Sequence, residues 1–350
     1  MRTRCFAVVA SALLCAVSVS AAPRVIQSVR TSYPPNWLAV SPSGNQVCVS
    51  GLRGLRMHGL RPDGQLVTGP PEKVVEPGRQ LTCAIISPSG QHIIATDGGS
   101  SAGCTIYVIR RGTWEVRTIL YPDASQAVDI DVVSQRPEAY VQFANKRLIA
   151  VNFHDAEIVY QHGIGYGDTW RGRGVRARPD GLYVCPLTAD MNVGFGATYG
   201  LWAEPEDWLQ AWSVAVEDFP VAMCVAPDPE HMIVLHRNEN CGLSVVDTNT
   251  GYVARTYDHD LTHPQDIEAT PNGKWVVAVG YGTRKLTAFV AEEFRADLAM
   301  PRSVYTIRRY DCPLRARPAG VTVHPTLPVA YVWSTEESRI EVVDLGEPSQ

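Results

Sequence analysis

Seven times along this chain a short apolar run meets a tight, proline-bearing turn, and two further strand-length runs follow. The turns are Ser41-Pro42-Ser43-Gly44, Ser87-Pro88-Ser89-Gly90, Gln135-Arg136-Pro137-Glu138, Arg178-Pro179-Asp180-Gly181, Pro227-Asp228-Pro229-Glu230, Thr270-Pro271-Asn272-Gly273 and His324-Pro325-Thr326-Leu327. Their prolines at 42, 88, 137, 179, 227, 271 and 325 stand 46, 49, 42, 48, 44 and 54 residues apart. That period is the length of a four-stranded propeller blade, a unit that cannot bury its faces alone and must stack on neighbours. The spacing predicts an all-β chain, a seven-bladed β-propeller.

The fifth repeat is the most regular. Runs at 221–226, 231–236, 243–247 and 252–257 are rich in Val, Ile, Leu and Tyr, and the last two flank the turn Thr248-Asn249-Thr250-Gly251. The seventh repeat has runs at 320–323, 329–333 and 340–345, but the sequence ends at Gln350 before a fourth strand. The stretch Arg24-Val25-Ile26-Gln27-Ser28-Val29-Arg30-Thr31 alternates like a strand and precedes the first repeat. Lent to the seventh blade, it closes the ring and removes both exposed sheet edges.

Arg2 and Arg4 precede an apolar run over 5–19, and the small residues Val19, Ser20 and Ala21 precede Ala22-Pro23. This pattern predicts a signal peptide over 1–21, a single propeller domain over 22–350, and a secreted or periplasmic product. No later apolar run is long enough for a membrane span. Losing two arginines and no acids moves the net charge from -5 to -7. An acidic chain of this kind assembles no basic face, which argues against nucleic acid as a partner.

Removing Cys5 and Cys15 from nine cysteines leaves seven, an odd number, so at least one thiol stays free. Cys83 and Cys104, and likewise Cys224 and Cys241, fall near the starts of the first and third strands of a blade. Two strand spacings separate such positions, too far for an ordinary bridge unless a loop bends inward. Small buried hydrophobes are the expectation for most of them.

The runs Ser244-Val245-Val246-Asp247-Thr248-Asn249-Thr250-Gly251, Ile340-Glu341-Val342-Val343-Asp344-Leu345 and Thr105-Ile106-Tyr107-Val108-Ile109, with hairpins such as Thr270-Pro271-Asn272-Gly273-Lys274, resemble the YVTN-type repeats of lactonase-like seven-bladed propellers. The resemblance spans nearly the whole chain after residue 21. It implies the fold, and a superfamily holding lactonases, periplasmic and surface binding proteins, and quinoprotein and haem-bearing relatives. The Gly-His and Trp-Asp dipeptides of WD40 blades are absent.

First strands of a propeller line its central channel, and residues two apart on a strand share a face. Alignment on the prolines places Trp37 and Ala39, Cys83 and Ile85, Asp129 and Asp131, Gly174 and Arg176, Ala222 and Cys224, Asp266 and Glu268, and Gly320 and Thr322 toward that channel, with Arg178 as a further candidate. Two acid pairs and an arginine sharing one channel suit a bound cation, a sugar acid or lactone, a general base, or simply a solvated ion-pair lining. The loop at 257–264, with His259 and His263, enters the sixth blade at the channel mouth, and Glu292, Glu293, Glu336 and Glu337 read as exposed turn residues. Glycine-rich stretches at 163–170 and 190–200, followed by Trp202, Trp208 and Trp212, suit either a ring-stacking platform or packing between blades. No dinucleotide fingerprint, serine elbow, zinc-ligand spacing or haem attachment motif is present, so no cofactor or metal is named. Intact repeats without a complete catalytic constellation favour a binding or interaction module whose protein or small-molecule ligand is unknown. The alternative is a lactonase-like hydrolase, for which the resemblance implies a carboxylate, arginine and histidine site using Asp129, Arg176, His263, Asp266 and Glu268.

Overall fold

The computed structural model describes residues 22–75, 78–100, 102–122, 124–164, 170–190, 196–202, 210–216, 219–237, 242–300 and 306–348. Seven four-stranded antiparallel sheets are arranged as a β-propeller. The first strands, Pro35–Val40, Leu81–Ile86, Ala127–Val132, Trp170–Ala177, Pro220–Val225, Pro264–Ala269 and Gly320–Val323, are the channel strands. Each packs against the first strand of the next blade.

The turns hold their shape by local bonding. The hydroxyls of Ser41, Ser87 and Thr270 accept from the amides of Gln46, His92 and Trp275 at 3.1, 3.0 and 2.9 Å. Gly44, Gly90 and Gly273 then take φ of 68°, 70° and 67°, a region L side chains avoid, which is why glycine ends each of these turns.

Among the described residues the apolar core falls into seven clusters, each lying between two adjacent blades and none at the centre. Leu81 and Met57 join blades one and two, Ile94 and Val141 blades two and three, Tyr140 and Val184 blades three and four, and Leu187 and Val234 blades four and five. Ile233 and Phe289 join blades five and six, Val277 and Val332 blades six and seven, and Val49 and Tyr331 blades seven and one. A blade therefore owes its burial to both neighbours, and an open ring would leave two apolar faces in water.

The N-terminal strand closes the ring as anticipated. Arg24–Arg30 pairs antiparallel with Arg339–Asp344 and becomes the outer strand of blade seven. The seam is reinforced by Thr31 donating its amide to the Ser338 carbonyl at 2.8 Å, Ser28 Oγ donating to Glu341 at 3.1 Å and Arg339 donating to Ser28 Oγ at 2.6 Å.

One feature departs from the sequence reading, and the cysteines follow it. Glu292 and Glu293 lie in the first turn of a helix, Ala291–Leu298, inserted between the third and fourth strands of blade six. Its Phe294 is buried, and its buried Asp297 accepts from the Tyr257 hydroxyl at 2.7 Å. Cys83 and Cys104 form no bridge: Cys48, Cys83, Cys104, Cys185, Cys224 and Cys312 are all free and buried, and Cys241 lies outside the described residues.

Deleting residues 24–30 should expose the edge of blade seven and produce aggregation or non-cooperative melting, as calorimetry would register. A truncated protein that melts like the parent would refute the closure. Unfolding the protein without reductant should expose at least the six described free thiols to titration. A count near zero would mean that these cysteines are bridged.

Candidate functional site

A shared irregularity sets the register of the channel. In blades one to six the first strand is bulged, at its second residue or, in blade four, its fourth: between Pro35 and Trp37, Leu81 and Cys83, Ala127 and Asp129, Gly172 and Gly174, Pro220 and Ala222, and Pro264 and Asp266. The extra residue in each breaks the two-residue alternation. Beyond it, Asp129 is level with Asp266 and Asp131 with Glu268, as the proline alignment placed them.

The channel half where these strands end is lined by Trp37, Ile85, Asp131, Arg176, Asp266, Glu268 and Thr322, among others. Asp129 stands behind Arg176 in the wall, only 5% exposed. Arg176 Nη1 donates to Asp129 Oδ2 at 2.5 Å and to the Val175 carbonyl at 2.7 Å, while its Nη2 lies 3.8 Å from Glu268 Oε2. The guanidinium thus reaches from blade four to carboxylates on blades three and six.

Three of the four acids staple neighbouring blades. Asp129 accepts from the amide of Ile130 at 2.8 Å and, across the blade boundary, from Val175 at 2.9 Å. Asp131 repeats this with Val132 at 2.8 Å and Ala177 at 2.8 Å, and Asp266 with Ile267 at 2.9 Å and Val321 at 3.0 Å. In each, one oxygen holds the residue's own strand and the other the next blade. Blade four carries glycine opposite this staple, and a Cβ on Gly174 would lie 3.1 Å from Asp129 Oδ2. Glu268, one methylene longer than Asp131 at the matching level, turns toward Arg176 instead.

Burial pushes the Glu268 carboxyl up to about 8, with Arg176 opposing and Asp266, Asp131 and Asp129 adding to the rise. Burial likewise raises Asp131 and Asp266 to about 6 against the pull of Arg176, and raises Asp129 despite Arg176 and its two amide bonds. Burial disfavours the charged Arg176, but Asp129, Glu268, Asp131 and Asp266 together hold it protonated. Glu268 keeps 31% of its side chain exposed and can exchange a proton with channel solvent, as can the half-buried Asp131 and Asp266 that line the same cavity. Arg176 acts as the internal cation of the cluster. Among the described residues no group of three or more His, Cys, Asp or Glu is arranged to hold a metal ion.

The structure leaves the remaining candidates elsewhere. His263 is exposed in the turn before blade six, with φ of 50°, and lines neither half of the channel. His259 organises its own loop, with Nε2 against the His236 carbonyl at 3.1 Å and Nδ1 accepting from Leu261 at 3.2 Å. Arg178 is not in the channel either: it ties blade four to Thr248 and Asn249 of blade five at 3.0 and 2.7 Å and pairs with Asp180. Trp212 packs between blades, donating to the Thr248 carbonyl at 2.7 Å. Residues 165–169 and 191–195 and Trp208 lie outside the described residues, as does the side chain of Trp202.

The opposite half of the channel, where the first strands begin, went unread in the sequence. All six bulge residues, Asn36, Thr82, Val128, Arg173, Val221 and Gln265, line it, together with Gln80, Gln126 and Arg237. Trp37 borders both halves.

No family model matches the chain, and no curated protein matches it. Among solved structures it is similar to a chain of Kuenenia stuttgartiensis hydrazine synthase, with a TM-score of 0.69 and 16% identity, over 90% of this chain and 96% of that one. At that identity the likeness carries the fold alone.

Replacing Asp129 by Ala leaves Arg176 buried without its closest partner, and should cost about 3–5 kcal/mol in urea unfolding. Glu268 binds its proton more tightly folded than unfolded, so its contribution is complete below the ordinary glutamate pKa and is lost as pH rises toward about 8. Melting temperature should therefore fall across that window and fall less steeply in Glu268→Gln. An identical slope in the variant would exclude Glu268 as its source.

Proposed function

We propose that the protein is an exported recognition module, a propeller that binds a ligand or partner without transforming it. The observation that supports this most is the use made of the channel acids. Asp129, Asp131 and Asp266 each hold two main-chain amides, one of them in the next blade, which is the work of structural staples. That leaves Glu268 beside Arg176, and among the described residues no histidine lines either half of the channel. Covalent or acid-base catalysis needs a nucleophile or a base paired with an orienting group, and this lining offers neither in full.

A second reading rests on one observation. A solvent-reachable carboxyl raised to about 8 beside a fixed guanidinium is the kind of pair that transfers protons near neutral pH. Together with the YVTN-like repeats it supports a lactonase-like hydrolase acting from Glu268 and Arg176. Export rests on Arg2, Arg4, the apolar run over 5–19 and the small residues before Ala22.

The parent protein should leave a broad panel of small lactones untouched, with or without calcium, and Asp266→Asn/Glu268→Gln, which leaves one amide of the Asp266 staple without an acceptor, should cost about 1–3 kcal/mol of stability. Robust lactone turnover that disappears in the double variant would replace recognition by hydrolysis. N-terminal sequencing of the exported product should begin at Ala22; a product retaining residues 1–21 would refute the cleavage.

A further inference from the structure

The channel half at the start of the first strands has a chemistry opposite to that of the acidic half. Its cavity of about 470 Å³ falls in the size range of small-molecule sites. Among the described residues lining it are Arg173 and Arg237 and no carboxylate. The bulges create this lining, because the extra residue in each channel strand is the one that faces the cavity.

A glycine makes room for the backbone that carries Arg173. Its bulge begins at Gly172, where a Cβ would sit 2.2 Å from the Phe143 carbonyl oxygen, so a glycine is required for blade four to bring Arg173 to the cavity. Arg237 follows the second strand of blade five and is exposed. Burial lowers the Arg173 pKa, and the neighbouring Arg237 charge lowers it further. A carboxylate reaching both guanidiniums would offset this mutual repulsion.

Around the arginines stand fixed polar groups. Asn36 is anchored by donating to the Leu81 carbonyl at 2.8 Å, Thr82 by its hydroxyl contacts to Thr96 and Asp97, and Gln265 by donating to the His263 carbonyl at 3.2 Å. Side chains held this way lose little freedom on binding. Trp37 supplies an aromatic wall.

We propose that this bulge-lined cavity is a binding site for a small hydroxylated carboxylate, with Arg173 and Arg237 on the carboxylate and the amide and hydroxyl side chains on the hydroxyls. Arginine forks match carboxylate geometry, and fixed amides match hydroxyls. The acids beyond Trp37 disfavour passage of an anion through the channel, so the ligand enters and leaves by this mouth. The proposal deepens the recognition reading and rests on it only for the site's role as the place of recognition.

The test is calorimetric titration of the mature protein at low salt with sodium gluconate, with succinate as the carboxylate lacking hydroxyls and sorbitol as the neutral polyol. Gluconate should bind more tightly than succinate, and sorbitol should not bind. Affinity should fall at least tenfold in Arg237→Gln, about the scale of one charge-assisted contact. It should vanish in Arg173→Gln/Arg237→Gln and persist in Arg110→Gln, which removes a charge from the exposed end of a blade-two strand. Should the double variant fail to fold, the exposed Arg237 decides alone. Absence of binding by both carboxylates, or equal gluconate affinity in the parent and Arg237→Gln, would overturn the site. Turnover of lactones by the parent would instead overturn recognition and leave the anion site standing.

Discussion

Closure of the ring by the strand Arg24–Arg30 is the constraint on which the rest depends. Its partner, Arg339–Asp344, lies more than three hundred residues away, so every blade must form between the two halves of one sheet. Because each apolar cluster lies between blades, no blade has a complete core of its own. Stability is spread over seven interfaces, and the seam is where the last of them, carrying Val49 and Tyr331, is completed. Such a design tolerates variation in outer strands and loops, as the helix in blade six illustrates, while leaving little freedom in the channel strands.

Near the axis the blades converge and backbones approach closely, which explains how the channel acids are used. An aspartate with one oxygen on its own strand and the other on the next blade spans a boundary where two main chains are too close for a large side chain. Asp129, Asp131 and Asp266 do this at three points, and Gly174 leaves room at one of them. The buried Arg176–Asp129 pair compensates charge that burial would otherwise penalise heavily. Acidic residues that look catalytic by type are here first of all part of the wall.

The channel consequently has two ends of different character. Beyond Trp37 one half holds carboxylates around a single guanidinium, and the other holds two arginines among amides. The separation follows from the bulge. Residues after it are the regular channel face, and the bulged residue itself faces the mouth, so each strand contributes to the two halves through different positions and can vary them independently.

The proline-marked repeat, the seventh blade lacking a strand and the alternation over 24–31 were enough to read seven blades and their closure, because blade length and strand periodicity are local properties of sequence. The same alternation placed Asp131, Arg176, Asp266 and Glu268 in one channel, and it held because the bulge recurs at the same level and shifts blades three, four and six alike. It failed at Arg178, which the blade boundary takes up, and the loop reading that put His263 at the channel mouth failed because His263 turns away before its strand begins. Arg173 and Arg237 carried no signal of their own: a bulge is invisible to a two-residue period, and their proximity comes from blades four and five meeting at the axis. Which acids are staples, which one holds no main-chain amide and where positive charge collects were decided by tertiary structure, since each depends on how the main chain of the next blade, some fifty residues along the chain, approaches.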